Sequence, residues 1–348
     1  MIKKFQVYKE KKIKNVVKQM DKSKIGIAIC VDKNKKVVGV FTDGDFRKAV
    51  YNGVDLNKKV DKIMNKNFVY VSKNYSNNKI KKIFKNNFIQ YIPVLSRKKL
   101  INLVERKFFF REKDSTHGNM NNQVVIMAGG KGQRLAPFTE ILPKPLIPIN
   151  DEPIIKKIME EFYKFDMKNF HITLFDKAKM IKGYFHDHSL PFQIKYYEET
   201  KPLGTAGSLF VFKKKFENPV FVTNCDIILK ANYNEILKFH KKNNHDLTIV
   251  ASMRHLKIPY GVCKINKNGT LIGVTEKPEY DFLVNTGFYL LNPKLFKIVP
   301  KNRYLDMTDF FKIVKNKNLN IGVFPVSNNS WYDVGKWDEY DKNKAELL

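Results

Sequence analysis

This chain of 348 residues is short of most features that reveal a chemistry at a glance. Its three cysteines, Cys30, Cys225 and Cys263, fit neither metal-ligand spacing nor a disulfide framework, so a reducing cytoplasm is the expected setting. The seven histidines are scattered, with His186 and His188 the one close pair, and neither a Ser-His-Asp nor a Cys-His arrangement can be assembled. No apolar run approaches the ~20 residues a membrane span requires. The first residues, MIKKFQVYKEKKIKNVV, carry charges throughout and lack the apolar core of a secretory signal. Acidic residues are few: 34 against 64 basic ones, a net charge of +30. Arginine is scarce too, at seven residues, and the lysines are spread along the whole chain among asparagines. Sites that read or stack on bases favour arginine, so the excess is read as a solvated surface that steers anionic substrates, with no nucleic acid and no membrane as partner.

What is present is concentrated in Gly129–Pro145, GGKGQRLAPFTEILPKP. It follows Val124-Val125-Ile126-Met127-Ala128, a short apolar run that reads as a buried strand. A strand that ends at Ala128 and runs into Gly129, Gly130 and Gly132 lets backbone N–H groups approach phosphate oxygens. Arg134 and Lys144 add fixed positive charge, and Pro143 and Pro145 stiffen the segment that holds Lys144. The spacing is neither a P-loop nor a GxGxxG dinucleotide turn. A nucleoside triphosphate is the ligand it suits.

The ordered pattern GGxGxRL-x-P-x-T, then PKP, resembles the signature loop of the sugar-1-phosphate nucleotidyltransferases, and the resemblance runs from Gln123 to Leu348. It implies an α/β fold with a Rossmann-like, mostly parallel sheet, which strands at Phe170–Phe175, Val220–Thr223 and Leu247–Ala251 alternating with helical stretches also suggest. It implies that Arg134 clamps the β- and γ-phosphates, that Lys144 sits by the α-phosphate, and that Asp226 (in Thr223-Asn224-Cys225-Asp226) and Asp333 (in Trp331-Tyr332-Asp333-Val334-Gly335) hold Mg²⁺. Cys225 stands where the family more often has glycine. Tyr260-Gly261-Val262, Glu276-Lys277-Pro278 and Asn285-Thr286-Gly287 resemble the sugar-phosphate pocket, which makes Gly261, Glu276, Lys277, Asn285 and Thr286 its candidate residues. Glu198-Glu199 and Leu203-Gly204-Thr205-Ala206-Gly207 resemble the base-contacting segment, and Asp306-Met307-Thr308-Asp309 reads as structural or as a helix cap. Guanine offers two adjacent donors that one carboxylate, Glu198 or Glu199, accepts together, which favours GTP. A phosphate nucleophile is already ionised at neutral pH, so no general base is required.

The N-terminal part holds a weak internal repeat of about 64 residues. Ile25–Cys30 resembles Ile89–Val94, and Lys36–Phe41 resembles Lys99–Val104. The pattern is similar to a tandem CBS pair, a β-α-β-β-α module that often binds purine nucleotides. Thr42 and Asp45, in Gly39-Val40-Phe41-Thr42-Asp43-Gly44-Asp45, occupy the positions that meet phosphate and ribose in that family. In the second copy Glu105 and Phe108 stand there, so one half at most is equipped for a nucleotide. The polar stretch Glu112–Asn122 reads as a linker, giving a CBS pair over 1–111, a linker over 112–122 and a transferase domain over 123–348.

The combination resembles the CBS-bearing guanylyltransferases that supply GDP-sugars for surface glycans, in finer detail the glucosamine-1-phosphate guanylyltransferases of legionaminic acid biosynthesis. GTP plus a hexose-1-phosphate giving GDP-sugar and pyrophosphate is the expected reaction, with mannose- or heptose-1-phosphate as rival substrates. The end of the chain soon after Asp333 implies no C-terminal β-helix, and the CBS resemblance implies a homodimer or larger homo-oligomer. Two other classes stay open: a catalytically inactive, nucleotide-sensing regulatory subunit, and a nucleic-acid binder resting on charge alone.

Overall fold

The computed structural model describes residues 2–87, 89–110, 120–188, 190–335 and 340. Residues 112–119 of the expected linker lie outside them. Its last residues are packed: the Met120 N–H donates to the Phe165 carbonyl (3.2 Å), and the buried Asn122 amide donates to the Pro219 carbonyl (2.7 Å).

The N-terminal repeat is realised as two modules that share a β-α-β-β arrangement. In the first, β1 (Gln6–Tyr8) pairs parallel with β2 (Ile27–Val31) after the crossover helix α1 (Ile13–Ser23), β2 pairs antiparallel with β3 (Val37–Thr42), and α2 (Asp43–Tyr51) follows. Apolar residues of α1 at helical spacing, Ile13, Val16, Val17 and Met20, cover the sheet and form a core with Phe41, Phe46 and Val60. In the second, β4 (Val71–Ser72) pairs parallel with β5 (Tyr91–Ser96) after α3 (Asn77–Asn86), and β5 pairs antiparallel with β6 (Lys99–Glu105). Ser76 caps α3 by accepting from the Lys79 N–H. After β6 the described residues hold a short 3₁₀ turn, Arg106–Phe108, at the place where the first module has α2.

The transferase part is built on a seven-stranded sheet. Its elements in chain order are β7 (Val124–Ala128), α4 (Phe138–Ile141), the short pair β8 (Pro148–Ile149) and β9 (Glu152–Pro153), α5 (Ile154–Tyr163), β10 (Asn169–Leu174), α6 (Ala178–His186), β11 (Gln193–Glu198), α7 (Gly204–Gly207), β12 (Val220–Asn224), β13 (Ile227–Leu229), α8 (Tyr233–Lys242), β14 (Leu247–Lys257), β15 (Val262–Ile265), β16 (Leu271–Thr275), β17 (Glu279–Leu291), α9 (Met307–Asn316), β18 (Ile321–Val326) and β19 (Trp331–Asp333). The strand order is β11-β10-β7-β12-β17-β14-β18. Strands β11, β10, β7 and β12 run parallel and β17 antiparallel to β12, so the expected mostly parallel α/β sheet is present. Strand β7 is central and buried at all five positions, which is why it reads as a continuous apolar run. One core joins Val125, Val222 and Leu291 of the sheet to Leu209, Phe212, Phe296 and Phe310.

By its contacts the chain forms two compact units. One comprises Met1–Phe68, Ala251–Asn285 and Pro325–Asn329, the other Val69–Val250, Thr286–Phe324 and Ser330–Leu348. No helix among the described residues is long and apolar enough to cross a membrane.

Candidate active site

Strands β7, β10 and β12 end level with one another: Ala128 pairs with Leu174, and Asn224 with Met127. In a parallel sheet this carboxyl edge is where ligands bind, since each strand delivers its following loop there. Ala128 is the last buried residue of β7, and Gly129, Gly130 and Gly132 form the loop after it. Gly132 has φ +70°, and a Cβ on it would stand 2.9 Å from both Lys144 Cβ and Thr139 Cγ2. Arg134 lies exposed in the 3₁₀ turn Gln133–Leu135 that follows.

Lys144 is buried, and its ammonium pairs with Asp226 Oδ2. Burial works against the charged form, but Asp226, with help from Cys225, outweighs it and raises the lysine pKa. Asp226 is itself 5% exposed, at the turn between β12 and β13. Strand β19 pairs antiparallel with β13, placing Asp333 opposite Ile227, and the Val334 N–H donates to the Asp226 carbonyl at 3.0 Å. The two aspartates, more than a hundred residues apart in sequence, are therefore neighbours. Asp333 has its pKa raised by burial and then by the Asp226 charge, although the Gly335 N–H donates to its Oδ1 at 2.8 Å. A buried and a partly buried carboxylate that repel one another suit a divalent cation completed by phosphate oxygens and water. The described residues contain no cluster of three or more His, Cys, Asp or Glu side chains that could enclose a metal on their own.

Two residues of this centre were not among the expected site residues. Gly335 is one: a Cβ there would run into the Asp226 carboxylate and stand 2.9 Å from Lys144 Nζ. Its place in W-x-D-x-G is the signal that could have found it. Cys225 is the other. It is buried, and desolvation, then Asp226, push its thiol up to about 12, so it acts as a small neutral packing residue.

The two glutamates of the base-contacting candidate segment have different fates. Glu198 ends β11, exposed, in an ion pair with Lys182. Glu199 turns inward: it accepts from the Leu203 N–H at 3.1 Å, is hydrogen-bonded by Thr173 and Ser208, and lies against Gly129, where a Cβ would collide with its carboxylate. Desolvation raises its pKa despite those bonds. Gly204 (φ +74°) lets the chain approach the Leu305 carbonyl within 2.7 Å of where a Cβ would be. Thr205 Oγ1 accepts from the Met307 N–H at 2.8 Å, and the Thr205 N–H donates to Asp306 Oδ1 at 3.4 Å. Asp306 does stand at the N-cap position of α9, but its carboxylate does not bond the helix, whose first N–H goes to Thr205 instead.

Of the sugar-pocket candidates, Thr286 is buried and donates to the Val250 carbonyl at 2.8 Å. Gly261, Glu276, Lys277 and Asn285 belong to the compact unit of the first repeat module. There a Cβ on Gly261 would meet Glu276 Oε2 at 2.9 Å, the Lys277 N–H donates to the Tyr260 carbonyl (3.2 Å), and Lys277 Nζ lies 3.8 Å from Glu276 Oε1. Tyr260, Gly261, Glu276 and Lys277 are thus brought together on the β15–β16 hairpin and its flanks. Thr42 and Asp45 form a capping box on α2: Asp45 Oδ2 accepts from the Thr42 N–H (3.0 Å) and hydroxyl (2.8 Å), and the Asp45 N–H donates back to Thr42 Oγ1 at 3.4 Å. Their equivalents make no such pair, since Glu105 is bridged to Lys107 and Phe108 is 74% exposed.

A glycine loop, a buried lysine and two neighbouring aspartates stand together at the carboxyl edge of a parallel sheet, the edge at which α/β proteins bind their ligands. Residues 123–348 match the nucleotidyl transferase family, and residues 1–52 and 60–107 match the CBS domain. The chain belongs to the nucleotidyl transferase family and carries a CBS pair. Among curated relatives it is 30% identical over 234 residues to the bifunctional protein GlmU of Methanocaldococcus jannaschii, covering 64% of this chain and 54% of that protein. It is 34% identical over 187 residues to a mannose-1-phosphate guanyltransferase of Yarrowia lipolytica, half of each chain. The chain thus spans about half the length of these relatives. HddC from Yersinia pseudotuberculosis shares the fold, with a TM-score of 0.52 and 22% identity over 65% of this chain and 100% of that one.

Proposed function

We propose that the protein transfers a nucleotidyl group from GTP to a hexose-1-phosphate, glucosamine-1-phosphate first, giving a GDP-sugar and pyrophosphate for surface-glycan synthesis of the legionaminic acid type. The observation that carries the reading is the Lys144–Asp226 pair with Asp333 beside it, under the glycine loop. Mg²⁺, held by Asp226 and Asp333, would neutralise triphosphate charge. The glycine-loop amides and Arg134 would bind the β- and γ-phosphates, and Lys144 would stabilise the charge that builds on the α-phosphate. An oxygen of the sugar phosphate attacks the α-phosphorus as the bond to the β-phosphate bridging oxygen breaks, and pyrophosphate leaves opposite. Both reactants are anions, so the chain's task is positioning and charge neutralisation.

GTP is favoured because Glu199 places a carboxylate directly against the glycine loop, and a carboxylate suits the paired donors of guanine. The mannose-1-phosphate guanyltransferase relatives support the base, and they also favour the second reading, in which mannose- or heptose-1-phosphate is the acceptor. Lys277, Glu276, Gly261, Asn285 and Thr286 are assigned to the sugar phosphate. Residues 1–111 are assigned to regulation or dimerisation, with Thr42 and Asp45 as a purine-nucleotide site and 112–122 as the linker.

Pyrophosphate release should be measured with GTP, ATP, UTP, CTP and dTTP against glucosamine-, N-acetylglucosamine-, mannose- and glucose-1-phosphate, with Mg²⁺. Release confined to GTP and glucosamine-1-phosphate is the expected result. Release with mannose-1-phosphate alone would select the second reading. Silence throughout from folded protein, or full turnover by Asp226→Asn, would overturn the catalytic assignment and favour a regulatory subunit.

A further inference from the structure

The loop after β10 contains a lysine that no motif singles out. Lys177 is the N-cap residue of α6 and sits in the left-handed region at φ 52°, a conformation uncommon for a residue with a side chain. Its carbonyl starts α6 by accepting from the Met180 N–H (3.0 Å). Its side chain leaves α6 and crosses to the signature loop, where the ammonium donates to the Thr139 carbonyl at 2.6 Å and the Glu140 carbonyl at 2.8 Å. These are carbonyls within the single turn of α4, too short a helix to hold itself.

The contact continues inward. The Thr139 hydroxyl donates to the Gly132 carbonyl at 3.1 Å. Thr139 is 7% exposed, and its Cγ2 fills the space beside Gly132 that a Cβ would occupy, next to Lys144. A continuous chain of contacts therefore runs from α6 through Lys177 and Thr139 to the glycine loop and to Lys144, whose ammonium meets Asp226.

We propose that Lys177 is a positioning residue for triphosphate binding: it clamps the 138–141 turn so that Thr139 holds Gly132 and the loop amides in place before the nucleotide arrives. This rests on the reading of the glycine loop as the triphosphate site. Charge-assisted bonds to two carbonyls are stronger than neutral ones, and here they join elements that follow neighbouring strands of the sheet. A pre-ordered loop lowers the entropy cost of ordering the loop around a ligand, so its loss falls on affinity ahead of turnover.

The test uses Lys177→Met, Lys177→Arg and Thr139→Val in the full chain. Hydrogen exchange without substrate reads the clamp itself. The amides of residues 129–142 should exchange faster in Lys177→Met, and Lys177→Arg should restore protection. Kinetics read its consequence: KM for the nucleotide should rise about fivefold or more in Lys177→Met, with kcat changed less and the arginine variant close to wild type. Thr139→Val, which keeps shape and loses the hydroxyl, should give the same loop exchange and KM pattern should the methionine variant fold poorly. Unchanged loop exchange in both variants overturns the clamp whatever the substrate. Faster exchange with an unchanged KM overturns its role in binding. A raised KM with unchanged exchange also overturns it, because Lys177 would then touch substrate directly. Wild-type protein silent with every nucleotide would sink the functional reading alone, since exchange still reports the clamp.

Discussion

Asp226 meets Lys144 through its carboxylate, Asp333 through the field between two anions, and Gly335 through close packing. Substituting Lys144 by Met leaves Asp226 and Asp333 facing one another without a cation, and kcat should fall about 100-fold or more in steady-state assays. Gly335→Ala is a finer probe. Its methyl group has no room unless the Asp226 carboxylate moves, so turnover should drop roughly tenfold while the thermal midpoint stays near wild type. A variant that melts early without a loss of kcat would show that Gly335 serves packing only. Cys225, with its thiol pushed up to about 12, should resist alkylation in the folded protein while the exposed Cys263 reacts.

Among the elements, α9 depends on a residue a hundred positions away, because Thr205 supplies the hydroxyl that its first N–H needs. Thr205→Val should cost about 1 kcal/mol in urea unfolding, the usual value of a cap. Helix α8 brings a different sensitivity. His240 is buried, with Nδ1 on Thr248 Oγ1 at 2.9 Å, and desolvation, then His245, pull its pKa down to about 4. The folded value lies below the unfolded one near 6.5. The neutral ring's contribution is thus complete above that value and is lost as pH falls towards 4. Helix α1 has the opposite sign. His255 on β14 is held between Asp281 Oδ1 (2.6 Å) and Asp21 Oδ2 (3.3 Å), beside the Lys18–Glu279 pair. Burial alone would lower its pKa, but the two carboxylates together raise it. Its stabilisation is therefore present below about pH 6.5 and lost as pH rises through the folded pKa. Thermal melts from about pH 6 to pH 9 should show a decline in wild type that His255→Asn lacks. Parallel curves for the two proteins would remove the assignment.

At the scale of the whole molecule, the net charge of +30 acts on partners at a distance. Raising salt should increase KM for the anionic substrates, since screening shortens the reach of the lysine field to about 8 Å at physiological ionic strength. Mass measurement in solution should give a dimer or larger, because CBS pairs commonly associate, and a monomer would count against that. The compact units also regroup the chain. Residues Ala251–Asn285, with the candidates Gly261, Glu276, Lys277 and Asn285, fold with the first repeat module, an association that sequence adjacency cannot reveal.

Local order was legible wherever a physical requirement repeats within a few residues. The apolar run of β7 and the two repeat modules could be read from the residues, because burial on both faces of a strand demands a continuous apolar run. Asp226 and Asp333 were marked only by the motifs that the family resemblance supplies, and the structure sets them side by side. The sequence also distinguished the two modules at Thr42 and Asp45 against Glu105 and Phe108. Tertiary structure alone decided which of two adjacent glutamates turns inward, that Thr205 caps a helix a hundred residues on, that Lys177 reaches the signature loop, and that His255 lies between two carboxylates. Each of those depends on where a side chain lands after strands are laid side by side. In a chain so full of lysine, neither spacing nor composition separates the lysine that holds a loop from those that only face water.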